Sequence, residues 1–272
     1  MRFGELLKAI IFGMIEGMTE WLPISSTGHL IILNELLRLD ATEAFCELLL
    51  VAVQLGAVLA VPCVLGKRYL PLFKRENGGG SRILLLTAVG VLPAAIAGVL
   101  LDDVLEELFY NHTAVAATLI LYGVVFIVIA RKSKGRVLKI ESVREMALKD
   151  ALAVGLFQML SLIPGTSRSG STLIGGYAVG ASASVSADFS FLMAMPIMLG
   201  ATVLKMGKLL SSGYSLSQNE LLILAASALV AFLVSIVSMR FLIDFVKRHS
   251  LLAFGIYRII LGIALIAFFS SK

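Results

Sequence analysis

A chain of 272 residues that is 58% hydrophobic and 15% charged, with a mean hydropathy of +0.95, is far more apolar than a soluble domain, in which roughly 45 to 50% of residues are apolar. Its formal net charge of +5 falls in separate loops and not along one groove-sized face, so nucleic acid is not a partner this composition points to. The composition excludes an ordinary soluble protein and predicts an integral membrane protein.

The first eight residues, Met1 to Lys8, lack the charged, apolar and small-residue layout of a removable signal peptide, so the first apolar stretch is read as part of the mature fold. Residues 1–37 are apolar but carry Glu16, Thr19, Glu20, Trp21, Pro23, Ser25, Ser26, Thr27, Gly28 and His29 in close succession. Ionisable groups at membrane depth are costly unless they serve a site. Glu16 and Glu20 stand four apart, the spacing of one helical face, where two carboxylates converge and suit a hard divalent cation such as Mg²⁺ or Ca²⁺. The alternative is an exposed helix end with two solvated acids. Pro23 ends a hydrogen-bonded run and Gly28 permits unusual backbone angles, which together predict hydroxyls and amides pointing at one anion. His29, three residues from Ser26, suits a base beside a serine nucleophile or a direct nucleophile. It equally suits a strut bonded to a backbone carbonyl.

Spans of adequate length follow at 48–65, 83–101 and 114–130. Cys46 and Cys63 lie too far apart along one helix to bridge and are read as free thiols. Basic residues gather at 67–82 and at 131–149, and acidic ones at Glu35, Asp40, Glu43 and Glu47 and at Asp102, Asp103, Glu106 and Glu107. Basic loops are retained in the cytoplasm, which places 67–82 and 131–149 inside. Asn77 to Ser81 reads as a flexible turn within one domain.

A second polar interruption occupies 150–180, with Pro164, Gly165, Thr166, Ser167, Arg168, Ser169, Gly170, Ser171 and Thr172 ahead of a helix expected to begin near Leu173. A guanidinium fork and a helix N-terminus both favour phosphate oxyanions. Arg168 could instead bridge to Glu16 or Glu20, and the two arrangements can belong to different ligand states. Further spans are predicted at 186–204, with Asp188 as an electrostatic cap, then at 221–239 and 251–269. Arg240, Lys247 and Arg248 make a third inside loop, while Lys205 and Lys208 weakly oppose the pattern. Tyr257 and Arg258 are expected to anchor the last span at the interface by snorkelling.

The third basic loop is cytoplasmic only if 150–180 dips into the membrane and returns. By the same reasoning 1–37 dips in from the outer side. The expected fold is therefore an all-α integral membrane protein of six transmembrane helices plus two re-entrant helical hairpins, in one polytopic domain with repeats at about 1–130 and 150–272. Gly28 and Gly170 lie 142 positions apart, and Phe45, Leu48, Leu55, Gly56 and Ala57 match Phe189, Leu192, Leu199, Gly200 and Ala201 at a constant offset. An odd number of spans per half makes the repeats inverted, an architecture of secondary transporters. A flippase or anion transporter using the same site is accordingly the competing class.

The run from Glu16 through Glu20, Pro23, Ser25, Ser26, Thr27, Gly28 and His29, followed by Pro164, Gly165, Ser167, Arg168, Ser169 and Gly170, resembles the undecaprenyl-diphosphatase family of the bacitracin-resistance type. Phe189, Phe191, Pro196 and the Tyr257–Arg258 pair extend the likeness over nearly the whole chain. The resemblance implies hydrolysis of undecaprenyl diphosphate, recycling the carrier lipid for cell-wall synthesis and conferring bacitracin resistance. It implies a bacterial plasma-membrane location, an active site facing the outer side, contact with membrane lipids and a homodimer. By position it implies Glu16 and Glu20 as metal ligands, Ser26, His29, Glu20 and Arg168 as catalytic residues, and Thr27, Ser167, Arg168, Ser169 and Gly170 as the phosphate cradle. Spacing does not choose between Ser26 and His29 as nucleophile.

Overall fold

The computed structural model describes residues 3–73, 79–109, 111–132, 139–211 and 213–270, and among them the secondary structure is helical apart from one isolated bridge between Ile140 and Ala181. The first half comprises α1 (Phe3–Thr19), α2 (Ser26–Leu36), α3 (Glu43–Val58), α4 (Ala60–Phe73), α5 (Gly79–Phe109) and α6 (His112–Lys132). The second comprises α7 (Leu148–Met159), α8 (Arg168–Ala178), α9 (Ala183–Ser211), α10 (Gln218–Arg248) and α11 (Leu252–Ser270). Six stretches are long and apolar enough to cross a membrane: Ala44–Leu70, Gly79–Leu101, His112–Lys132, Ala183–Lys208, Gln218–Arg248 and Leu252–Ser270. These are the six spans expected from composition. Their outward faces remain apolar, with Leu100 72% exposed and Val203 and Val237 similarly bare, the reverse of a water-facing surface. The protein is a multi-pass membrane protein. In contrast, α1, α2, α7 and α8 have 17, 11, 12 and 11 residues, each short of the ~20 that a span requires.

Several local expectations are corrected. The span at 48–65 is two helices, interrupted at Leu59. Pro62 lacks the N–H that would bond the Val58 carbonyl, so the ladder breaks just before it. Gly79, Gly80 and Ser81 open α5 rather than forming a turn, while Asn77 and Gly78 lie outside the described residues. Residues 133–138 of the second basic segment also lie outside them. Asp188 sits inside α9 and is no cap; its buried carboxylate meets Arg68 and accepts the Tyr69 hydroxyl at 2.9 Å. Burial of a carboxylate demands such partners, and both come from α4. Neither cysteine is in a disulfide.

Close glycine contacts fix how the helices cross. A Cβ on Gly17 would lie 2.6 Å from the Ala231 carbonyl, and Gly13 meets Ser227, so α1 runs parallel to α10. Gly155 abuts Gly90 and Pro93, Leu162 abuts Gly98, and Arg82 bonds the Met146 carbonyl at 2.8 Å, so α7 runs parallel to α5. The short helices α1 and α7 thus each pack along a long helix of the other half. Gly123 and Gly255 approach reciprocally, a Cβ on either lying 2.8 Å from the other's carbonyl oxygen, while Gly262 faces Ala116, so α6 and α11 are antiparallel. Trp21, Phe126, Leu173, Phe189 and Phe191 fill the centre of the main core. That core walls the two loops following α1 and α7.

Candidate active site

Both loops end in the same local device. Ser25 caps α2 by accepting the Gly28 N–H at 3.4 Å, and Ser167 caps α8 by accepting the Gly170 N–H at 3.1 Å. Each has φ 72°, and they are the non-glycine residues with positive φ among those described. A Cβ there is sterically disfavoured, and such strain gathers at functional sites. This corrects the expectation that Gly28 supplies the unusual angles. Both glycines are helical, and they serve packing instead, with a Gly28 Cβ only 3.0 Å from Leu119 and a Gly170 Cβ 3.2 Å from Phe126. The Ser167 cap also starts α8 at Arg168, earlier than the expected Leu173.

The caps bring the two segments together. Ser26 Oγ, in the first turn of α2, donates to Glu20 Oε2 at 2.8 Å. Arg168 donates from Nε and Nη2 to Glu20 Oε1, each at 3.2 Å, and from Nη1 to the Ser190 carbonyl at 3.0 Å. Its guanidinium lies 5.4 Å above the Trp21 ring, which is itself held edge-on by Phe191. Glu20 and Arg168 retain 11% and 10% side-chain exposure, so water screens this pair little while a ligand still reaches it. The Arg168–carboxylate bridge foreseen as an alternative is thus present, and Glu20 is its partner.

Glu16 is fully buried, within electrostatic reach of Glu20 and Arg168, and neither of its carboxylate oxygens has a hydrogen-bond partner among the described residues. An unpaired buried carboxylate costs several kcal/mol, roughly, unless a cation or proton compensates it. Two hard anionic groups, one with both oxygens uncommitted, fit a divalent metal ion. No group of three or more acidic, histidine or cysteine side chains that could hold a metal ion gathers among the described residues.

The remaining predicted residues divide in two. Thr27 lies half-buried beside Ser26. Ser167 and Ser169 hydroxyls lie 3.1 Å apart, and Ser169 Oγ donates to the Leu22 carbonyl at 3.1 Å, tying the second loop to the first. The Gly170 N–H is used by its cap. His29 Nδ1 bonds the Ser25 carbonyl at 2.7 Å, and Nε2 meets the Tyr257 hydroxyl at 2.6 Å; Ser26 is directed to Glu20 and not to His29.

Sequence reasoning misplaced Arg258. Far from snorkelling, Arg258 is fully buried between Tyr122 and Phe126 and donates to the carbonyls of Pro23 at 3.3 Å and Gly165 at 2.7 Å. One cation therefore clamps both loops. The available signal was its position: an arginine six residues into an apolar span must find partners inside the protein.

Residues 9–264 match the family described as bacitracin resistance protein BacA. A relative from Enterococcus faecalis named undecaprenyl-diphosphatase is 43% identical over 98% of this chain and 99% of its own. Relatives of the same name from Acetivibrio thermocellus (43% identical, 97% and 98% covered) and Streptococcus mutans (44%, 98% and 96%) are similar over their full lengths.

Proposed function

The chain belongs to the bacitracin resistance protein BacA family, and we propose that it hydrolyses undecaprenyl diphosphate to undecaprenyl phosphate and inorganic phosphate. This activity returns the carrier lipid to cell-wall synthesis and underlies bacitracin resistance. The observation that carries the reading is the Glu20 carboxylate, which accepts both from the Ser26 hydroxyl of one loop and from the Arg168 guanidinium of the other. A nucleophile, a proton acceptor and an oxyanion-binding cation are joined at one partly buried point, as a phosphatase needs and a passive channel does not.

In the proposed course, Arg168 exchanges Glu20 for the distal phosphoryl oxygens. Ser26 Oγ bonds to the distal phosphorus as the bridging P–O bond breaks, its proton passes to Glu20, and undecaprenyl phosphate leaves with the bridging oxygen. Water then attacks the phosphoserine and gives its proton to His29 Nε2. The Ser26 oxygen departs and recovers the proton held by Glu20, and His29 returns its own to the released phosphate. Glu16 and Glu20 would hold a divalent cation, Mg²⁺ or Ca²⁺, which when bound supplies positive charge against the diphosphate. Thr27 stands at the rim of the cradle, and Ser167, Ser169 and Gly170 shape it by fixing the Arg168 backbone.

The same reading takes α1–α2 and α7–α8 as re-entrant hairpins of an inverted repeat, with the site toward the outer face of a bacterial plasma membrane. Support comes from equivalences at the 142-residue offset: Ser25 with Ser167, Pro23 with Gly165 as twin acceptors of Arg258, and Glu16 with the buried, unpartnered Gln158. The reciprocal α1–α10 and α7–α5 pairings and the antiparallel α6–α11 contact also fit a two-fold axis. Membrane lipids surround the six spans, and a homodimer is compatible with their apolar outer faces.

The test is phosphate release from undecaprenyl diphosphate by purified protein with Mg²⁺ or Ca²⁺ and then chelator, beside Glu20→Ala and Arg168→Ala. Cation-dependent release lost in both variants is expected. Binding without release by folded, reconstituted wild type would move the assignment to lipid or anion transport.

A further inference from the structure

His29 is held at three points. The Ser25 carbonyl can only accept, so the 2.7 Å contact puts the ring proton on Nδ1. Nε2 is then bare and accepts the Tyr257 hydroxyl at 2.6 Å. The two rings lie nearly parallel, 8° apart with centroids separated by 5.7 Å, which removes rotation about the imidazole plane. Ser25 is fixed by its left-handed backbone and its cap to Gly28, and Tyr257 stands in α11 next to the buried, doubly bonded Arg258.

We propose that Tyr257 is a positioning residue for the second half of the reaction, holding the His29 ring, whose tautomer the Ser25 carbonyl sets, in the orientation that presents Nε2 as the proton-accepting nitrogen. This rests on the hydrolase reading above. In the empty site the tyrosine hydroxyl occupies the Nε2 lone pair, and the attacking water takes its place once Ser26 is phosphorylated. The arrangement separates the labour of the two bases: Glu20 bonds Ser26, and His29, bonded to Tyr257 and not to Ser26, serves water. A well-placed general base contributes about 10²–10⁴-fold, and loosening its orientation forfeits part of that.

Tyr257→Phe keeps the ring and removes the hydroxyl. The expected result is a kcat reduced about tenfold or more with KM little changed, together with accumulation of phosphorylated Ser26 on acid quenching, as in His29→Gln. In ¹⁵N-histidine-labelled protein the His29 Nε2 resonance should move toward that of an unbonded bare nitrogen while Nδ1 stays protonated. Ile260→Ala, on the exposed side of the same helix, is the control expected to retain wild-type turnover. If His29→Gln accumulates phosphoserine and Tyr257→Phe does not, the role of Tyr257 is overturned and the hydrolase reading stands. If neither variant traps phosphoserine while wild type turns over, the two-step course and the role of Tyr257 fall together. An unmoved Nε2 resonance in Tyr257→Phe overturns the contact itself.

Discussion

Arg168 places two N–H groups on one oxygen of Glu20, both at 3.2 Å, across 148 positions of sequence. With side chains about one-tenth exposed, neither charge would be tolerated alone, and each explains the other's presence. The remaining Glu20 oxygen accepts from Ser26, so the carboxylate that pairs with Arg168 also fixes the Ser26 hydroxyl.

Arg168→Lys retains the charge and loses the fork. A lysine cannot reach Glu20, Ser190 and a phosphoryl group from one rigid plane. Phosphate release is expected to fall about 10²-fold or more, the scale for losing one preorganised oxyanion donor, with the melting temperature in detergent nearly unchanged.

Glu16→Gln removes a buried carboxylate whose oxygens have no protein partner. The variant should fold at least as stably as wild type, because a buried carboxyl group that must be compensated by a proton or a cation is gone. Its requirement for Mg²⁺ or Ca²⁺ should shift upward about tenfold or more, the loss of one of two anionic ligands. Calorimetric cation titration of the purified protein checks this independently of turnover.

Arg258→Met abandons the carbonyls of Pro23 and Gly165 inside the protein. Each unsatisfied carbonyl costs about 1–3 kcal/mol, so thermal stability should drop well beyond a surface substitution. Arg258→Lys, reaching one loop at most, should fall between the two in both stability and phosphate release.

Ser25→Ala keeps the disfavoured Cβ at φ 72° and loses the hydroxyl cap, for about 0.5–2 kcal/mol. Ser25→Gly also loses the cap but relieves about 1–2 kcal/mol of left-handed strain. The glycine variant should therefore unfold closer to wild type than the alanine variant. The same order is expected at Ser167, with thermal unfolding as the measure.

Much of this protein was legible in its sequence, because a lipid environment imposes rules that act locally. Span length follows from bilayer thickness, and charged residues are too costly at membrane depth to be scattered, so the six apolar runs and the clusters at Glu16–His29 and Pro164–Thr172 announce themselves. Tertiary structure decided the rest, since it depends on atoms brought together from distant positions. The φ of Ser25 and Ser167 and the pairing of Asp188 with Arg68 each express a packing demand that the local pattern does not encode. Arg258 shows the limit most clearly. From sequence it was a cation near the start of an apolar helix, where snorkelling is the ordinary solution; in the fold two loop carbonyls, those of Pro23 and Gly165, meet at its guanidinium, and only their convergence makes full burial the lower-energy state.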